Sequence, residues 1–212
     1  MPELDYNDLV NVHSFVQQIF GISAGVRDES TLHAVENRPN QMFYGNTPFP
    51  DIFTKTASMM EAIIRWHPFV DANKRTALAV ASLYLYVNGY SFVLALSAVR
   101  FSVQIALADT KDQSGREDQE KLTQLTMKIA KWLRKYSAPS QTPMLRMKYR
   151  FYVTFPLRLI RYALETPLVR NWAYEVISRW LALDIYPEYA KDTRQMLSFL
   201  AELTSAALPR TP

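Results

Sequence analysis

The sequence predicts an all-α fold: a helical bundle with one β-hairpin flap, followed by a C-terminal helical extension. Three observations point there. Apolar residues recur at helical spacing in segment after segment between residues 8 and 136. NQMFYGNTPFP, residues 40 to 50, sets Gly45-Asn46 between aromatic residues and reads as a hairpin or extended flap. SAPSQTP, residues 137 to 143, has the small, polar, proline-bearing composition of a linker, which divides the chain into residues 1–138 and an extension, 139–212.

Each element follows from local rules. Asp8 to Phe20 has apolar residues at 9, 12, 16, 19 and 20, one helical face, and Gly21 ends it. GISAGVRDES is a loop, in which Asp28 or Ser30 caps a short helix through Glu36 before Pro39 stops it. Asp51 to Trp66 is helical by period, with Phe53, Ala57, Met60, Ile63 and Ile64 on one side and Asp51 as its cap. Asn73 to Val87 is apolar on all sides, the pattern of a central helix, with Tyr84, Tyr86 and the preceding Trp66 as core residues. Asn88-Gly89 stops it. Ala95 to Ala108 is a further apolar helix, and SGRE, residues 114 to 117, reads as a capping box opening an amphipathic helix through Tyr136. Beyond the linker, KYRFYVTF (148 to 155) fits strand or helix. Thr166-Pro167 opens a helix that Pro187 ends, and another covers Lys191 to Ala207.

Composition narrows the chemistry. The 212 residues, 49% of them hydrophobic, suffice for a sizeable core. With no cysteine, disulfides, thiolate nucleophiles and cysteine-ligated metals are excluded together. MPELDYNDLV carries acids where a signal peptide carries cations, so a cytoplasmic address is expected. Thr76 to Val99 is uncharged, but Asn88-Gly89 breaks it into two buried elements, and no membrane span is expected. The net charge of +4 belongs to the tail: residues 1–140 hold 14 Lys+Arg and 14 Asp+Glu, residues 141–212 hold 10 and 6.

The chemistry concentrates in HPFVDANKR, residues 67 to 75. A helix entered at about Ala72 presents backbone N–H groups and the positive end of its dipole, an anion site. Asn73 and Arg75 stand in its first turn, where a cation is unfavourable unless an anion offsets it, so a bound phosphate is implied. His67 can serve as a general base. Asp71 is a natural Mg²⁺ ligand, since magnesium commonly uses one or two carboxylates together with substrate phosphates. Base, metal ligand and phosphate cradle together suggest phosphoryl or nucleotidyl transfer.

HPFVDANKR also resembles the Fic motif, H-P-F-x-(D/E)-(G/A)-N-(G/K)-R, in its death-on-curing (Doc) form, at nine consecutive positions. The resemblance extends through GVRD (25 to 28), ENRP (36 to 39) and the flap, and downstream through TALAVASLYLYVNGY, covering roughly residues 4 to 136. It implies a Fic/Doc fold whose flap aligns a target segment by strand addition. By position it implies that His67 deprotonates a target hydroxyl, that Asp71 holds Mg²⁺, and that Ala72, Asn73, Lys74 and Arg75 bind the nucleotide phosphates. Phe69 would anchor the loop, and Tyr44, Gly45, Asn46 and Phe49 would contact the target. In AMP-transferring members the position of Lys74 is glycine; in Doc-type proteins lysine there goes with ATP bound in the reverse sense and with kinase activity. The second arginine of many AMP-transferring members is replaced by Leu78, and SFLAEL (198 to 203) misses the inhibitory pattern at its last residue, so that form of autoinhibition is not expected.

The expected function is therefore a Doc-like protein kinase toxin that uses ATP and Mg²⁺ on a Thr/Ser hydroxyl of a protein substrate, by family analogy a translation factor, with a separate antitoxin. Alternatives are Fic-type AMP transfer (AMPylation) and a noncatalytic Fic-fold binding protein whose basic tail contacts nucleic acid. From 141 to 180 the tail holds seven Lys+Arg and two Asp+Glu among aromatics. A solvated helical face beside a packed one explains this equally well and aromatic residues at helical spacing usually pack, so nucleic acid is the lesser expectation; the tail could also cover the site in place of an antitoxin. His13 and His33 read as structural or exposed, Arg27-Asp28 as a loop-fixing pair, and Asp51 as a cap rather than a second metal ligand. The sequence does not specify the oligomeric state.

Overall fold

The computed structural model describes residues 2–20, 25–42, 45–95, 97–154 and the single positions 156, 166 and 175. They fall into two units, one of residues 1–92 with 102–145, the other of 93–101 with 146 onward. In chain order the helices are α1 (Tyr6–Phe20), α2 (Glu29–Asn37), α3 (Ile52–Trp66), α4 (Asn73–Val87), α5 (Ala98–Ala106), α6 (Gln119–Tyr136) and α7 (Pro143–Tyr149), with a 3-10 turn at Arg38–Asn40. Two short strands, β1 (Tyr90–Phe92) and β2 (Ser137–Pro139), complete the described elements. The all-α expectation holds.

In the first unit, α3 is the enclosed element. Ala57, Met60, Ala62, Ile63 and Ile64 are fully buried, and the helix packs on both α4 and α6. Met60, Ile63 and Ile64 each contribute about 1.5–3 kcal/mol by that burial. Its start is secured by Asp51, whose carboxylate accepts from the Phe53 and Thr54 amides while Thr54 completes a capping box, so Asp51 is the expected cap. The sequence pattern pointed to α4 as the central helix, but α4 has an open side. Tyr84 is buried as expected, whereas Tyr86 is 65% exposed and, with Phe15, Val12, Leu83 and Phe92, lines an open, largely apolar groove of about 660 Å³ between α1, α4 and β1. α1 lies against α4, with Leu9, Val16 and His13 buried.

Three local expectations need correction. Tyr90–Phe92 and Ser137–Pro139 pair antiparallel, Tyr90 opposite Pro139, Ser91 opposite Ala138 and Phe92 opposite Ser137. Part of the supposed linker is thus a strand, held by burial of Ser137 and Ala138 and by Trp132 packing on Phe92 at 5.3 Å. Pro139 is tolerated because it ends a three-residue edge strand. SGRE is not the cap of α6. Asp118 is, its carboxylate accepting from the Glu120 and Lys121 amides, while Ser114 to Glu117 form a turn around the Asp112 carboxylate. The antiparallel pair also lies apart from the flap. Among the described flap residues no strand is assigned beyond a single bridge position at Asn46.

In the second unit, Val93, Ala95, Ala98 and Phe101 are buried, and α7 continues into a π-type turn at Arg150–Thr154. KYRFYVTF is therefore helical over its described residues. The helices expected beyond Thr166, and SFLAEL, lie outside the described residues. No helix among those described is long and apolar enough to cross a membrane.

Candidate active site

The HPFVDANKR segment joins the end of α3 to the start of α4 through a short loop with a left-handed residue at each end: His67 (φ 52°, ψ 57°) and Ala72 (φ 59°, ψ 17°). Pro68 accounts for the helix stop that precedes the first. The α region is sterically disfavoured for the residue before a proline, so α3 ends at Trp66, and His67 takes up the left-handed turn that follows. Each non-glycine residue in this conformation costs about 1–2 kcal/mol, and the surrounding contacts hold it.

Those contacts come from three directions. Phe69 is fully buried and stacks on the His13 ring at 4.0 Å, and His13 Nδ1 lies 2.9 Å from the Thr76 hydroxyl of α4. This is the anchoring role the resemblance implied, and it places His13 as a structural residue. Asn73 clamps the loop from within: its Oδ1 accepts from the Phe69 amide at 3.0 Å and its Nδ2 donates to the Phe69 carbonyl at 2.8 Å. From outside, residues 25–28 form a strap. Val26 and Phe69 make an antiparallel bridge, the Arg27 and Asp28 amides donate to the Pro68 carbonyl at 2.7 and 3.2 Å, and the Val70 amide donates to the Gly25 carbonyl at 2.9 Å. Asp28 also caps α2 through the Thr31 amide. Arg27 and Asp28 are thus loop-fixing, as expected, through different partners.

This frame brings His67, Asp71, Ala72, Asn73, Lys74 and Arg75 together around the N-terminus of α4, whose first-turn amides have no acceptor within the helix. His67 is half-buried, and burial, then Lys74, then Arg27 hold its imidazole below the usual histidine value. Lys74 is half-buried too; burial lowers its ammonium, Asp71 opposes that and Arg75 adds to it. Asp71 is exposed, and one carboxylate oxygen accepts from the Ala72 amide. Asn73 differs from the simplest expectation. It is 5% exposed, and both its side-chain polar atoms serve the loop backbone, so its contribution to an anion would come through its main-chain amide. Leu78 packs into the core.

Of the flap residues, Gly45 (φ 79°) and Asn46 are exposed, Phe49 is half-buried, and Tyr44 lies outside the described residues. The root of the flap revealed a feature the sequence reading missed. Arg38 is buried, donates to Glu61 at 2.6 Å, and lies over the Trp66 ring at 4.6 Å and the Phe49 ring at 5.9 Å. Glu61, fully buried, also accepts from Arg65 at 3.0 Å, and Arg65 continues to Glu117 at 2.9 Å and to the Thr110 hydroxyl. The available signal was Glu61 and Arg65, an i, i+4 pair inside an otherwise apolar helix.

Known proteins resemble the part of the chain that holds this site. A model of the Fic/DOC family matches residues 3–85. "Toxin Doc" of Mycolicibacterium smegmatis is 37% identical over 86 residues, covering 41% of this chain and 64% of that protein. "Protein kinase doc" of Escherichia phage P1 is 33% identical over 89 residues, covering 42% of this chain and 70% of that protein. The chain thus spans somewhat under two thirds of the first relative and somewhat over two thirds of the second.

Proposed function

The chain belongs to the Fic/DOC family, and we propose that it is a Doc-like protein kinase toxin, moving the γ-phosphate of ATP to a serine or threonine hydroxyl of a target protein. The observation that carries this reading is Lys74, half-buried in the first turn of α4 with Asp71 acting on it and with its own charge acting on His67. It occupies the position where a glycine would leave open backbone for AMP transfer. The relatives' names, a toxin and a protein kinase, support the same reading. A translation factor in the cytoplasm is the proposed target class and a separate antitoxin the proposed restraint.

His67 takes the proton from the target hydroxyl as its oxygen bonds to the γ-phosphorus and the bond to the ADP oxygen breaks. A neutral imidazole is required, and its lowered proton affinity favours that state at pH 7. Lys74, Arg75 and the first-turn amides of α4 offset phosphate charge, and positioning supplies much of the rate. Among the described residues no cluster of three carboxylate or histidine ligands exists, so a cation held wholly by protein does not fit. One exposed carboxylate, Asp71, fits Mg²⁺ held jointly with phosphates. When bound, the metal neutralises charge on the transferred group. Flap residues Gly45, Asn46 and Phe49 would align the target segment.

The test is incubation of the protein and Mg²⁺ with a cell lysate and ATP labelled at either the γ- or the α-phosphate. The γ label should appear on a protein, with the mass of a phosphate. Transfer of the α label would replace the kinase reading by AMP transfer, and no transfer of either label would favour a noncatalytic binding role.

A further inference from the structure

The strap holds the catalytic loop with backbone groups, which most residue types could supply, but one of its contacts depends on a particular side chain. Arg27 is exposed, so it contributes little to the core, yet its guanidinium reaches back to the Trp66 carbonyl at 2.7 Å. That carbonyl is the last of α3, where acceptors have no helical donor and a cation complements the dipole. It also belongs to the same planar peptide unit as the His67 amide. Fixing the oxygen therefore orients the bond about which His67 turns into its left-handed conformation.

We infer that Arg27 is a positioning residue for His67, working through the Trp66 carbonyl that leads into the catalytic turn. This rests on the reading of His67 as general base. The charge of Arg27 acts in the same direction as its geometry. Lys74 on α4 and Arg27 on the strap are the two charged groups that act on the imidazole, and both disfavour its protonated form. The residue thus both aims the base and keeps it ready to accept a proton.

The full-length protein tests this with Arg27→Gln and Arg27→Lys, using His67→Ala to identify the His67 signal by NMR. In Arg27→Gln the His67 titration midpoint should rise and kcat should fall by roughly 10- to 100-fold, with KM for ATP unchanged. Arg27→Lys should restore the titration midpoint but only part of kcat, because an ammonium lacks the planar fork of donors. An unchanged His67 titration in Arg27→Gln overturns the inference, including the case where activity declines only as thermal stability does. A wild-type protein that transfers no phosphate overturns the kinase reading instead, and the titration then still decides by itself whether Arg27 governs His67.

Discussion

Glu61 and His67 stand close together in sequence, one inside α3 and one just past its end, and their surroundings treat charge in opposite ways. Around Glu61 the charges compensate. A fully buried carboxylate sits between Arg38 and Arg65, and Arg65 reaches a second carboxylate at Glu117. Around His67 they oppose one another. Beyond burial, Lys74 and Arg27 act against protonation of the imidazole, and Arg75 acts against that of Lys74, which the exposed Asp71 carboxylate favours. Cations in the first turn of a helix also face the positive end of its dipole. A cluster that neutralises itself holds structure, here the flap root against α3 and the 110–117 segment. A cluster whose like charges repel has a use for a ligand of the other sign, and phosphate oxygens would relieve all these conflicts at once.

Breaking the second cluster should show most in activity. His67→Ala should lower phosphate transfer by roughly 10²–10⁴-fold while leaving the thermal midpoint near wild type. In the nucleotide-free wild-type protein the His67 titration midpoint, read by NMR, should fall below pH 6.5, the ordinary imidazole value, because the folded protein binds that proton less readily. Breaking the first cluster should show in stability. Glu61→Leu strands the largely buried Arg38 guanidinium and leaves Arg65 to Glu117 and Thr110, and should cost roughly 3–5 kcal/mol in denaturant unfolding, while adding Arg38→Met should recover part of the loss. A smaller change of opposite sign is expected at Ala72. Replacing it with glycine removes the left-handed penalty and should raise stability by about 0.5–1 kcal/mol, read as a higher thermal midpoint.

The smallest effect at neutral pH is expected for Asp28→Asn, since asparagine also caps helices. The difference should emerge in acid. Hydrogen bonds from Thr31 and Ser30 lower the Asp28 carboxyl from 3.8 to about 2 in the folded protein. Its stabilising contribution is therefore complete above pH 3.8 and is lost as pH falls towards 2, and the acid-unfolding curve of Asp28→Asn should lack that step.

The two clusters were unequally legible from sequence. HPFVDANKR is contiguous, so its spacing, the cap at Ala72 and the helix that follows could be read directly. The Glu61 network depends on Arg38 and Glu117, which only the folded chain brings to α3. The pairing of Tyr90–Phe92 with Ser137–Pro139 was hidden for a similar reason: three residues are too few to show an alternating pattern, and SAPSQTP has the composition of a linker whether or not it pairs. Helical periodicity found α4 but could not show that its Tyr86 side stays open, because an apolar residue beside a groove and one in the core look alike. The clamp at Asn73 was placed correctly and understood differently. Its amide group ties the loop from inside, a role visible only once Phe69 is seen beneath it.

The bridge between Val26 and Phe69 makes two distant stretches of chain a single cooperative unit. The amides of Arg27, Asp28 and Val70 all take part in bonds that span it, so none can exchange its hydrogen for deuterium through that bond while the other stretch stays shut. Their exchange rates should rise and fall together, and any event that frees residues 25–28, even a protease cut nearby, should loosen the outer side of the loop while Phe69 and the Asn73 clamp still hold it from within.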